Sequence, residues 1–215
     1  MIITEQKPIE EILDILKPYN RVGILGCAGC AGFYQVGGLK QVNALFEKLK
    51  EKGIDIVGKG AVARQCSIDT LRKKMPEELE EADVVLSTAC GVGVQTLASV
   101  LETKPVAPAL NTLFMGRKDG GMYYEECLAC GDCILHTTGG ICPITKCPKS
   151  DINGPCGGVH NGKCEVDKTR DCALILVYNK LKALGQLDYM RKVRPPKDFS
   201  NRTHPREAEV KDYGL

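Results

Sequence analysis

No run of apolar residues in this chain reaches the roughly 18 that a membrane-spanning helix requires, so no membrane span is expected. Net charge is nearly absent too, with 29 lysines and arginines against 27 acids leaving +2. A protein that neutralises many phosphates carries a larger or more clustered positive balance, and no nucleic-acid partner is expected. The N-terminus, MIITEQKPIEEILDILKPYN, has acids and a helical period where a secretory leader has a basic region and an apolar block, which points to a cytoplasmic location. Also missing are a phosphate-binding P-loop, a Ser–His–acid arrangement and a pair of carboxylates with a defined site. Histidine is scarce, and His136, His160 and His204 read as exposed loop residues rather than ligands.

Cysteine is what the chain has in excess, with 12 in 215 residues. A reducing compartment does not favour disulfides. Core packing hides one or two thiols, but it does not explain a CxxCxxC run. Metal or cluster ligation remains.

Hydrophobic patterning divides the chain. Residues 4–18 repeat Ile9, Ile12, Leu13 and Leu16 at helical spacing, with Pro8 suited to a first turn. Short apolar strands then alternate with helices. RVGILG (21–26), IDIVGKGAV (54–62), DVVLSTA (83–89) and PVAPALN (105–111) read as strands. Helices are expected over 38–53, ending at Gly53, over 67–82 with a break at Pro76, and over 93–103. Such alternation with short connections implies a parallel sheet covered by helices on both faces. The expected fold class is therefore α/β, a Rossmann-like or flavodoxin-like parallel-sheet domain, followed by a cysteine-rich, metal-cluster-stabilised module and a C-terminal helix. The expected boundaries are 1–19 for an N-terminal helix, 20–118 for the α/β domain and 119–172 for the cysteine-rich module. A C-terminal helix over 173–193 and an extended tail over 194–215 complete the chain; the tail either wraps a neighbour or is mobile.

The first four cysteines sit at strand ends: Cys27 and Cys30 in GCAGCAG, Cys66 after the second strand and Cys90 after the third. Ligands of open parallel sheets bind outside the carboxyl ends of the strands, so the fold would gather these four thiols at one edge. Gly26, Gly29, Gly91 and Gly93 would let the backbone approach a negatively charged centre and supply amides to it. Four thiolates suit a [4Fe–4S] cluster or a structural zinc. The alternatives are a degenerate dinucleotide loop, for which the GxxGxxG spacing is a poor match, or ordinary buried thiols at Cys66 and Cys90.

Eight more cysteines follow between positions 127 and 172. Cys127, Cys130 and Cys133 have the triple spacing of ferredoxin-type sites, which a more distant cysteine followed by proline completes. Cys142 and Cys147 both precede a proline, but eight residues separate Cys133 from Cys142, where the ferredoxin run has three. Zinc is the rival ligand, although the spacings through Cys147, Cys156, Cys164 and Cys172 are not zinc knuckles. Eight thiols make two sites of four. One would hold Cys127, Cys130 and Cys133 with one late cysteine, and the other the remainder. Metal binding would then supply the core that this stretch lacks.

The segments GCAGCAG, STACGVGVQTLA, CLACGDC, NGPCGG and GKCEV, spread between about Arg21 and Met190, together resemble the MetV-type small subunit of methylenetetrahydrofolate reductase. The same domain forms a C-terminal extension in some longer reductases. The resemblance implies an iron–sulfur electron-transfer and scaffold subunit with two to three [4Fe–4S] clusters, zinc being a candidate at one site. It implies as partner a flavin-containing catalytic subunit that reduces methylenetetrahydrofolate to methyltetrahydrofolate, with a further electron-donor subunit also conceivable. The same complex built on zinc, without electron transfer, is the alternative. The chain has no segment suited to the catalytic barrel, which needs roughly 250 residues, so it is expected to be an accessory subunit, not catalytic alone.

Overall fold

The structure is a computed structural model that describes residues 1–202 and 204–208. The expected tail over 194–215 therefore lies partly outside the described residues, at 203 and 209–215. Two compact units divide the chain, Met1–Tyr123 and Tyr124–Leu215.

The first unit begins with strand β1 (Ile2–Gln6) and helix α1 (Ile9–Leu16). Strand β2 (Arg21–Cys27), the single-turn helix α2 (Cys30–Phe33), helix α3 (Leu39–Glu51) and strand β3 (Asp55–Val62) follow. Next come helix α4 (Ile68–Lys74), a 3₁₀ segment (Glu77–Glu81), strand β4 (Val84–Thr88), helix α5 (Gly91–Leu101) and strand β5 (Val106–Pro108). A parallel four-stranded sheet has the order β3-β2-β4-β5. Numbered among themselves these strands run 2-1-3-4, the flavodoxin-like order of a doubly wound sheet.

Local chemistry sets the element ends. Lys52 closes α3 and Gly53 follows at φ +79°, the left-handed position that glycine takes at no steric cost. Ser67 caps α4 by accepting the Thr70 N–H at 3.3 Å. Met75, held extended before Pro76, stops that helix. All five residues of β4 are buried, as befits a central strand covered on both sides. One face packs Ile24, Val84 and Leu86 against Ile12 and Leu16 of α1 and Val42 and Leu49 of α3. The other packs Leu25, Val62 and Val85 against Leu71 of α4, Leu79 and Leu97 of α5. Each fully buried Leu, Ile or Val contributes about 1.5–3 kcal/mol, and both layers hold the strand ends in fixed register.

Two expectations are corrected. Residues 2–6 are not part of an N-terminal helix. They form β1, which pairs antiparallel with strand β6 (Leu110–Asp119). The helical period of IEEILDIL belongs to residues 9–16 alone, because Pro8 starts the helix. The stretch 105–111 is not one strand: β5 ends at Pro108 and β6 starts at Leu110, in a second sheet of order β1-β6-β7, where strand β7 is Met122–Cys127.

The second unit has little regular structure before its long helix. A 3₁₀ turn (Leu135–Thr137) and the one-turn helix α6 (Pro143–Lys146) lie among the cysteines. Helix α7 (Ala173–Ala183) buries Leu174, Val177 and Leu181, and the short helix α8 (Asp188–Arg191) follows it. The expected C-terminal helix over 173–193 is thus two helices, parted by Gly185 at φ +68°. Among the described residues no helix is long and apolar enough to cross a membrane.

Candidate metal centres

At the carboxyl edge of the parallel sheet, β2 ends on Cys27, α2 starts on Cys30, Cys66 follows β3, and Cys90 precedes α5 as its cap. These four cysteines line one cavity of about 500 Å³, together with Met1, Phe33 and Arg64. The strand order places β2 beside β4, which makes this the crevice where connections diverge to opposite sides of the sheet and ligands bind.

The thiol of Cys27 is buried. Burial pushes its pKa up, against the N–H groups of Gln65 and Gly29, which favour the thiolate, while the Cys66 and Cys90 thiols push it further up. A thiolate there needs a nearby positive centre, which a metal or cluster supplies. Gln65 itself is fully buried. Its side-chain amide donates to the Leu25 carbonyl at 2.8 Å and accepts from the Ser87 hydroxyl at 2.7 Å. That bridge ties the segment carrying Cys66 to both β2 and β4.

The four glycines of the sequence reading occupy different roles. Gly29 offers its amide to Cys27. Gly91 gives its N–H to the Thr112 hydroxyl at 2.8 Å. Gly26 lies within β2, where a Cβ would come to 2.7 Å from Val42 Cγ2 and 3.0 Å from Ala61 Cβ. Gly93 is equally crowded, by Ala89 and Gln65. Close packing explains these last two without a ligand.

In the second unit, Cys127, Cys130 and Cys133 share one loop that turns through left-handed residues at Ala129 (φ +49°) and Gly131 (φ +82°). The Ala129 N–H donates to Cys127 Sγ at 3.3 Å, the kind of bond that stabilises a sulfur ligand. Cys142 caps α6. This helix is tied to the residues just before Cys127: the Thr145 hydroxyl donates to the Glu126 carbonyl at 3.3 Å, and the Lys146 ammonium to the Glu125 carbonyl at 3.2 Å. Lys146 also pairs with the Glu126 carboxylate at 2.9 Å.

Cys147, Cys156, Cys164 and Cys172 line a separate, narrow cleft of about 10 Å³. Cys172 is buried against Ala173 and Leu174, with Cys147 packed on that cluster. Cys156 Sγ meets the Glu165 carboxylate at 3.3 Å. Lys149, 2.7 Å away, and then Cys156 hold that carboxyl below its usual range. All 12 cysteines are free thiols. Among the described residues no three His, Cys, Asp or Glu side chains are gathered tightly enough to hold a single metal ion. His136, His160 and His204 are all exposed.

Sequence reasoning passed over Arg64, Phe33 and Gln65. The available signal was position: a polar pair just before Cys66, after a strand end, falls at the same edge as the thiols. It also passed over Lys197, whose ammonium is 3.1 Å from Asp132 Oδ2 in the CLACGDC loop.

Residues 107–200 match the family described as Methylene-tetrahydrofolate reductase C terminal, less than half of the chain. The match relates β6, β7 and the cysteine-rich stretch to that domain at a coarse level. Comparison with curated proteins and with solved structures finds no match.

Proposed function

We propose that this chain is an iron–sulfur electron-transfer and scaffold subunit of the MetV type. In this reading it passes electrons to the flavin of a separate methylenetetrahydrofolate reductase catalytic subunit. The observation that carries the reading is the gathering of Cys27, Cys30, Cys66 and Cys90, distant in sequence, around one cavity at a sheet edge. The family match over residues 107–200 supports the enzyme system.

The residues fit a cluster in two respects. Zinc bonded to thiolates at about 2.3 Å draws its sulfurs to within ~4 Å of each other. The sheet-edge thiols ring a roomy cavity of about 500 Å³, a volume that suits a four-iron cube better than a single ion. Amides of Gln65 and Gly29 also point at Cys27 Sγ, where they would stabilise sulfur charge. A cluster held there takes up and releases one electron at a time, at a potential set by such hydrogen bonds and by solvent exposure. The protein's own work is to hold the thiols on a rigid sheet edge, donate amides to them and leave the cavity open to a redox partner. A second set, Cys127, Cys130 and Cys133 with Cys142, would hold another cluster.

The cleft between Cys147, Cys156, Cys164 and Cys172 favours a different occupant. Its volume of about 10 Å³ suits one ion better than a cube, and we assign it to a structural zinc.

Anaerobic titration with dithionite, followed by visible absorption and electron paramagnetic resonance, tests the proposal. The brown absorption should bleach as about two electrons enter per chain, one per cluster. The reduced protein should then reduce the flavin of the catalytic subunit. A colourless protein that accepts no electrons would leave only a zinc scaffold.

A further inference from the structure

Beyond the cysteines, three cations of the second unit, Arg194, Lys197 and Arg206, bond back onto earlier residues of that unit. Arg194 donates from its guanidinium to the Ile152 carbonyl at 2.7 Å and the Thr137 carbonyl at 2.6 Å. Its backbone N–H and C=O both bond the Asn153 side chain, at 2.8 and 2.9 Å. Pro195 and Pro196 stiffen the next step. Lys197 then buries its side chain to 2% exposure and reaches Asp132 Oδ2 at 3.1 Å. The contact lies off the hydrogen-bonding direction, so the buried ammonium has no well-aligned acceptor. Further on, Arg206 donates to the Ala129 carbonyl at 2.8 Å.

Asp132 lies between Cys130 and Cys133, and Ala129 lies between Cys127 and Cys130. Lys197, buried, and Arg206, exposed, therefore both meet the one loop that carries three thiols. A buried ammonium without aligned hydrogen bonds costs several kcal/mol unless a negative charge compensates it. Asp132, about half exposed, compensates it only in part. Asp198, next in sequence, also feels the Lys197 charge; a thiolate-bound cluster on the CLACGDC loop would add a further anionic charge beside Asp132.

We propose that residues 194–197, with Arg206, form an electrostatic strap in which Lys197 sets the reduction potential of the cluster held by the CLACGDC loop. The inference rests on the iron–sulfur reading of Cys127, Cys130 and Cys133. Reduction adds negative charge to a cluster that its thiolates already make anionic. A buried cation stabilises the reduced form more than the oxidised one and raises the potential, and burial protects the effect from salt. Asp132 opposes it, so the pair acts as a balance whose two arms are separable. Lys197 is a positioning and tuning residue, since it touches no reacting atom.

Redox titration of the full chain, monitored by electron paramagnetic resonance, tests this. The signal to follow is the one that Cys130→Ser abolishes. Lys197→Met, which keeps the stem and removes the charge, should weaken that cluster's electron affinity about tenfold, a downward shift of ~59 mV for one electron. Asp132→Asn should shift it in the opposite direction. A packing role alone would not move the two variants with opposite sign. Iron content is measured on every sample. Iron retained with both potentials unchanged, or both shifted downward, overturns the strap while leaving the cluster reading intact. Zinc in place of iron at this loop overturns both.

Discussion

Asp83 shows how one side chain secures the frame on which the cysteines hang. Its carboxylate accepts the Arg21 N–H at 2.8 Å and the Asn20 N–H at 3.3 Å, and it lies 3.4 Å from the Arg21 guanidinium. It thereby joins the start of β2 to the start of β4, the two strands whose far ends carry Cys27 and Cys90. The Arg21 N–H, and then the Arg21 charge, hold the Asp83 carboxyl below its ordinary range. An unfolded aspartate titrates near pH ~3.9. A folded value below that means the stabilisation is complete above about pH 4 and disappears as pH falls through the folded value. Asp83→Asn should therefore be less stable than the parent at pH 7, with the difference closing below about pH 4. Urea midpoints of the two proteins, compared at each pH, check this, since acid effects common to both cancel. A difference that persists unchanged at pH 3 would show that the charge of Asp83 is not what matters.

Among elements, α5 depends most on close approach. Its third residue, Gly93, would place a Cβ 2.7 Å from Ala89 Cβ and 3.0 Å from Gln65 Cβ. Those atoms are fixed to backbone and cannot rotate away. Gly93→Ala would gain about 1 kcal/mol of helix propensity. Overpacking costs about 1–3 kcal/mol, and rigid neighbours on two sides put the cost at the upper end. The variant should lose ~1–2 kcal/mol in chemical denaturation and loosen the segment carrying Cys66. A variant as stable as the parent would mean that α5 shifts freely. The parallel sheet was legible because each strand is an apolar run followed by a helix period and a breaker, such as Gly53 or Pro76. Strand β1 was not, because IITEQ has too few residues to show alternation and merges with the helical period that begins at Ile9. The β6–β7 hairpin was equally hidden: LNTLFMGRKD is half exposed and polar at its end, so only its partners β1 and β7 identify it as sheet.

At the level of the whole chain, the gathering of Cys27, Cys30, Cys66 and Cys90 could be read before any coordinates. Parallel topology alone sends strand ends to one edge. The partition of the other eight thiols could not, because no regular period connects them. The shared cleft of Cys147, Cys156, Cys164 and Cys172 depends on loops and on α7 folding back to bury Cys172. Hidden for the same reason was the proposed strap, whose polar, proline-containing sequence reads as an extended tail that wraps a neighbour or is mobile. Its buried Lys197 becomes evident only when Asp132 is seen beside it. The proposal puts two metal chemistries in one small protein: iron at the sheet-edge cavity and the CxxCxxC loop, zinc in the narrow cleft. Iron, acid-labile sulfide and zinc per chain, measured on protein purified without oxygen, test this most directly. The expected result is about eight irons, eight sulfides and one zinc, from two cubes and one tetrahedral ion. Twelve irons would keep the electron-transfer account and remove zinc from the cleft. Two or three zincs with little sulfide would contradict the central claim.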